Sequence, residues 1–198
     1  MQSITLDLVA SMQINTDPTK PKQLEVITQE GIHDMVTTNY EPDELTIALD
    51  GCIKENEEIL LDANLDSLYH FKITSAGAMS SYRKLTGHNF RLTNEGLGDL
   101  DFALQADDII AEIKSAGDII LAGAARRLDF LTSGSGDLRA FNFVADTVDL
   151  RIIGTSICEV YTDGVLNVHF YKNGTVSYRG NPKQINVIGT GELKKSEI

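Results

Sequence analysis

A chain of 198 residues that is 42% hydrophobic can bury a sizeable core, which excludes disorder as its main state. Its net charge of -12 would be repelled by nucleic acid and by anionic membrane, and no apolar run reaches the roughly 18 to 20 residues of a membrane helix. Cys52 and Cys158 make neither a CxxC pair nor a disulfide framework, so they leave the redox compartment open.

In chain order, Met1 to Asn15 lacks the charged start, apolar stretch and small-residue cleavage site of a secretion signal, so no export signal is expected in this stretch. The segments "QLEVIT", "ELTIALD" and "EILLDANL" then alternate or run apolar as strands do, but polar stretches such as "NTDPTKPK" and "KENEE" separate them. Residues 1–64 are therefore expected to form irregular β coils that cap the N-terminal end of a more regular unit, residues 65–198.

That second unit is periodic. "NEGLGDLDF", "IKSAGDIIL", "LTSGSGDLRAF" and "NVIGTGELK" share one pattern, and an anchor recurs at Gly77, Gly98, Gly117, Gly136, Ser156, Gly174 and Gly191. The intervals are 21, 19, 19, 20, 18 and 17 residues. Positions eight, six and four residues before each anchor, from Tyr69-Phe71-Ile73 to Lys183-Ile185-Val187, are apolar except for Asn94, Thr132 and Lys183. Two residues after the anchors come Met79, Leu100, Ile119, Leu138, Cys158, Val176 and Leu193, all apolar. This period-two alternation predicts a strand, a corner and a second strand in each unit, with glycine supplying positive φ at the corner. A unit this short has no room for a strand-helix-strand crossover, which takes about 30 residues. The pattern predicts an all-β fold, a right-handed parallel β-helix-like solenoid whose coils pair in register, with an antiparallel β-sandwich as the alternative. Beyond Leu193 the polar "KKSEI" is expected to fray.

The repeated "GSGD"-like corners, the "GTS" at Gly154 to Ser156 and the run "VSYRGNPKQINVIGTGEL" from Val176 to Leu193 resemble the autotransporter adhesin head domain, the GIN domain of Bacteroidetes. The likeness is strong over residues 65–195 and weak before them. It implies an all-β helix-like fold and an extracytoplasmic protein, in the periplasm, at the outer membrane or on the cell surface. At Ile157, where that family usually carries Asp, this chain departs from the pattern, and it shows no export signal.

Chemistry is scarcer than architecture. Gly134-Ser135-Gly136 precedes a strand and has no Walker lysine, so it reads as a corner rather than a phosphate loop. After the anchors, Asp99, Asp118 and Asp137 would stand about 5 Å apart along one corner. They are the weak metal candidates, for calcium, and the competing reading makes them solvated acceptors for turn amides. His33, His70, His88 and His169 show no short metal spacing, and Cys158 falls in an inward column as a buried structural thiol. No cofactor and no catalytic residue is indicated, and the sequon Asn173-Gly174-Thr175 falls at a corner. Two functions compete. One is a non-enzymatic surface module binding glycan or protein through an extended β face, with Tyr161, Tyr171 and Tyr178 as candidate contacts and self-association through its terminal edges. The other is a carbohydrate-active enzyme, a lyase or hydrolase. It requires an acidic cleft with two or three carboxylates beside basic residues such as Arg126, Arg127 or Arg151.

Overall fold

The computed structural model describes residues 2–54 and 57–197; Glu55 and Asn56 of the "KENEE" connection, Met1 and Ile198 lie outside the described residues. The chain opens with β1 (Ser3–Asp7), β2 (Ser11–Asn15) and β3 (Gln23–Ile27), then a 3-10 turn at His33–Met35, β4 (Val36–Tyr40), β5 (Glu44–Leu49) and β6 (Leu60–Asn64). Short strands β7 (His70–Ile73), β8 (Ala78–Ser81), β9 (Leu85–Thr86) and β10 (Asn89–Asn94) lead into three long ones, β11 (Leu100–Ile113), β12 (Ile119–Thr132) and β13 (Leu138–Ile152). The chain finishes with β14 (Ile157–Tyr161), β15 (Val165–Phe170), β16 (Thr175–Arg179), β17 (Gln184–Ile188) and β18 (Glu192–Lys195).

These strands form two parallel stacks. In the first, β5, β1, β7, β10, the second halves of β11, β12 and β13, then β15 and β17 follow one another. In the second, β6, β2, β8, the first halves of β11, β12 and β13, then β14, β16 and β18 do the same. The result is a β-solenoid of about seven turns, and the sandwich alternative is set aside. Antiparallel pairing among the described strands is confined to β3 on β6 and β4 on β5.

The expected columns are real ladders. Met79, Leu100, Ile119, Leu138, Cys158, Val176 and Leu193 pair in that succession, and all but the terminal Leu193 are buried. One continuous apolar cluster runs from Ile4 to Val176. Two expected inward positions differ. Tyr69 is 43% exposed and lines an open groove of about 560 Å³ together with Leu85, His88 and Phe90. In the last coil Leu166 pairs with Ile185, so the column shifts by two residues from Lys183. The last corner is shorter because Gly189 takes φ +96 and Gly191 lies against the ring of Phe170, where no side chain would fit. Strand β18 also extends through Lys195, further than the frayed tail expected from "KKSEI".

The reason for the corner glycines also differs from expectation. Described glycines with positive φ are Gly31, Gly51, Gly123, Gly180 and Gly189, and no anchor is among them. A Cβ at Gly98, Gly117 or Gly136 would instead penetrate the carbonyl oxygen of Gly77, Gly98 or Gly117, the glycine one coil earlier. The corners need glycine because adjacent coils touch backbone to backbone.

The N-terminal region is threaded differently from a simple cap. Strand β1 lies between β5 and β7, and β2 between β6 and β8, so the chain starts inside the stack and β5–β6 forms the coil outside it. Strands β3 and β4, which precede that coil in the chain, lie antiparallel on the outer edges of β6 and β5. They do the covering work that a solenoid end requires, with Leu24, Val26 and Val36 packed on the core.

Candidate functional site

The aspartate column lies along one corner, as its spacing implied. Asp99 Oδ1 accepts the Asp118 N–H at 2.9 Å, Asp118 Oδ1 accepts the Asp137 N–H at 2.8 Å, and Asp137 Oδ1 accepts the Ile157 N–H at 2.8 Å. Each carboxylate thus ties its own coil to the next, and Ile157 ends the run because its N–H can donate to Asp137 but its side chain has no oxygen to accept from the following coil. Arg139 holds the second oxygen of Asp118 at 2.7 Å. No group of three or more His, Cys, Asp or Glu among the described residues converges as a metal cage does. With these oxygens engaged, thermal melts in calcium and in chelator are expected to coincide. A calcium-dependent rise that disappears in Asp118→Asn would contradict this.

The other candidates are dispersed. Tyr178 packs against the core, Tyr161 stands on the neighbouring column opposite Arg179, and Tyr171 is exposed with its ring stacked on His169 at 4.0 Å. His33 lies on the exposed 3-10 turn, and exposed His88 pairs with Asp107 at 2.7 Å. Burial, reinforced by the Arg91 guanidinium, holds His70 below the usual imidazole value, so it serves as a neutral partner for Ser3 and Thr93. Cys158 is fully buried and burial pushes its thiol up, away from nucleophilic use; Cys52 is free and exposed. Asn173 is exposed at its corner.

What converges lies on the outer face of the first stack. Strand alternation turns the residues between the inward columns outward, and parallel register places Asp129, Asp149, Asn167 and Asn186 in line along the stack. Beside them runs a second line of Leu131, Arg151, His169 and Ile188. All four carboxylate oxygens of the aspartate pair have partners. Asp129 meets Arg151 at 2.7 Å and Arg127 at 3.6 Å, while Asp149 meets Arg127 at 2.8 Å and the Asn167 amide at 2.6 Å. Asn186 then donates to Asn167 at 2.7 Å, which extends the chain of bonds to the last coil. These side chains line an open groove of about 410 Å³ that also includes His169 and Ile188. Of the arginines expected near carboxylates, Arg127 and Arg151 lie here, and Arg126 turns away to grip Asp108 with two bonds of 2.6 and 2.7 Å.

The aspartates and asparagines of this line were not singled out from sequence. Their signal was present: Asp129, Asp149 and Asn167 each stand seven residues before an anchor, in a polar column between two apolar ones.

A family model described as "Putative auto-transporter adhesin, head GIN domain" matches residues 3–182. A crystal structure of a "putative adhesin" from Bacteroides fragilis superposes with a TM-score of 0.88 at 18% identity, over 98% of this chain and 92% of that one. One from Parabacteroides merdae, also described as a "putative adhesin", does so with a TM-score of 0.74 at 18% identity, over 99% and 92%. A "Putative lipid binding protein" from Parabacteroides distasonis gives 0.76 at 20% identity, over 99% and 92%. No curated protein matches. These structures share the fold, and the family model spans nearly the whole solenoid. The chain belongs to the auto-transporter adhesin head GIN domain family.

Proposed function

We propose that this chain is a non-enzymatic adhesin module, displayed outside the cytoplasm, that binds glycan through the outer face of its first stack. The observation that carries this reading is the in-register line Asp129, Asp149, Asn167 and Asn186, flanked by Arg127, Arg151 and the exposed Tyr171 stacked on His169. Planar amides and guanidinium groups match paired sugar hydroxyls and acidic sugar carboxylates, and an exposed aromatic ring suits the apolar face of a pyranose. The face is open and continuous, so contacts with an extended saccharide are individually weak and add along its length.

The enzyme reading has one observation in its favour: the groove combines two carboxylates with two arginines, as such a site requires. Against it, every oxygen of the pair is already engaged, and the groove is open to solvent, whereas glycoside hydrolysis needs one carboxyl free to protonate the leaving group.

A glycan array with the purified chain, run beside a polysaccharide product-release assay, separates these readings. Saturable glycan binding is expected, weakened about tenfold by Arg151→Ala or Asn167→Ala and unchanged by Arg126→Ala. Binding to protein ligands alone would overturn the glycan assignment. Product release abolished by Asp149→Asn would overturn the non-enzymatic one.

A further inference from the structure

The two ends of the solenoid are unlike. At the N-terminal end β3 and β4 cover the last parallel edges and pack Leu24, Val26 and Val36 on the core, although their own outer edges are likewise unpaired among the described residues. At the other end β17 pairs only with β15 and β18 only with β16, so among the described residues the outer edges of both strands carry no partner. The core is open there as well. Ile185 and Val187 continue the columns of Leu166 and Val168, which are 0% and 2% exposed, yet they are themselves 39% and 45% exposed. Bare edge strands over an open apolar core are normally paired or covered.

The chemistry of these edges identifies their complement. Antiparallel pairing must match inward with inward positions. If β17 pairs with a second β17 about Asn186, Ile185 faces Val187 of the other copy twice and Asn186 faces Asn186. If β18 pairs with a second β18 about Leu193, the two Leu193 side chains meet, and each exposed Glu192 faces a Lys194 of the other copy. A single two-fold axis crossing both stacks generates both pairings, because it reverses each strand onto its own copy. A head-to-tail contact has no such match: it would set Ile185 and Val187 against β3 and β4, whose Leu24, Val26 and Val36 are already turned to their own core.

We propose that the C-terminal coil is a homodimer interface, in which β17 and β18 of two copies pair antiparallel and close the open core. The dimer presents two copies of the outer face pointing along one axis, and the assignment holds whether or not that face binds glycan.

The test is light scattering of the full chain across a concentration series, with circular dichroism to check folding. A dimer that dissociates on dilution is expected, and Val187→Asp should be a folded monomer. Glu192→Lys sets lysine against lysine at both pairs and should weaken the dimer about tenfold, and Glu192→Lys combined with Lys194→Glu should restore it. If Val187→Asp fails to fold, the charge reversal and its rescue still decide. A monomer at every concentration, a dimer indifferent to the charge reversal, or assemblies that grow beyond two copies would each overturn the proposal.

Discussion

Replacing Phe130 with alanine is expected to lower stability by about 3 to 5 kcal/mol. Phe130 is fully buried in β12, and its neighbours in the column are Ala111 one coil before and Leu150 one coil after. A ring over a methyl group fills the interior where Ala111 leaves room, so its removal opens a cavity that neither neighbour can fill without moving a coil. Leu138→Ala, in the other stack between Ile119 and Cys158, should cost about 2 to 5 kcal/mol for the same reason. Asp137→Asn, one residue away on the corner, should cost less than about 1 kcal/mol, because an amide oxygen can still accept the Ile157 N–H. Urea unfolding of the three variants checks the contrast. Similar midpoints for Asp137→Asn and the two core variants would mean that inward and outward positions do not differ in weight as the columns require.

The columns were legible because a solenoid repeats its constraints. Each coil must offer apolar side chains at the same offsets, so seven corners report one rule, and the succession from Met79 to Leu193 follows from spacing alone. Threading was not legible. Strands β1 and β2 alternate like any others, but their corner at Leu8 to Ala10 has no glycine to align, and alternation does not say which neighbour a strand will take. Only the structure shows β5–β6 passing outside them. The two-residue slip in the last coil was hidden for a similar reason. Counting back from Gly191 assumes a corner of constant length, and Gly189 shortens it.

The candidate site was less legible than the core for a physical reason. Stacking is held by backbone ladders, by glycine contacts and by the bonds from Asp99, Asp118 and Asp137 to the next coil. None of these depends on what the first stack carries outward. Its outer columns are therefore free of the periodic demand that exposes the core; Asp129, Asp149 and Asn167 keep one offset from their anchors, but nothing in that offset joins them to Arg127 and Arg151 until the register brings all five side by side. The histidines and tyrosines drew attention by residue type, yet of these only His169, with Tyr171 stacked on it, lies at the groove.

A Gly136→Ala chain is expected to lose at least about 3 kcal/mol, an unusually large effect for one methyl group at a corner. Ordinarily alanine stabilises relative to glycine when the backbone is compatible, because it narrows the unfolded ensemble. The φ of Gly136 lies outside the left-handed region, so conformation alone would predict that gain. The opposing effect is steric. The added Cβ would fall deep inside the carbonyl oxygen of Gly117, and Gly117 stands in the same relation to Gly98, so the coil cannot retreat without disturbing the coil it rests on. Nor can a rotamer relieve the clash, since both atoms belong to or adjoin the backbone. In the next coil the column carries Ser156, whose hydroxyl is 2.8 Å from that of Thr132, so the demand for glycine belongs to each contact and not to the column as a whole. Gly31 supplies the control. It has φ +89 and nothing within 4 Å of a built Cβ, so Gly31→Ala should cost only the left-handed strain of about 1 to 2 kcal/mol. Denaturant midpoints that place Gly136→Ala at or above Gly31→Ala would show that the coils can separate at their corners, and that backbone contact between glycines does not set the spacing of the solenoid.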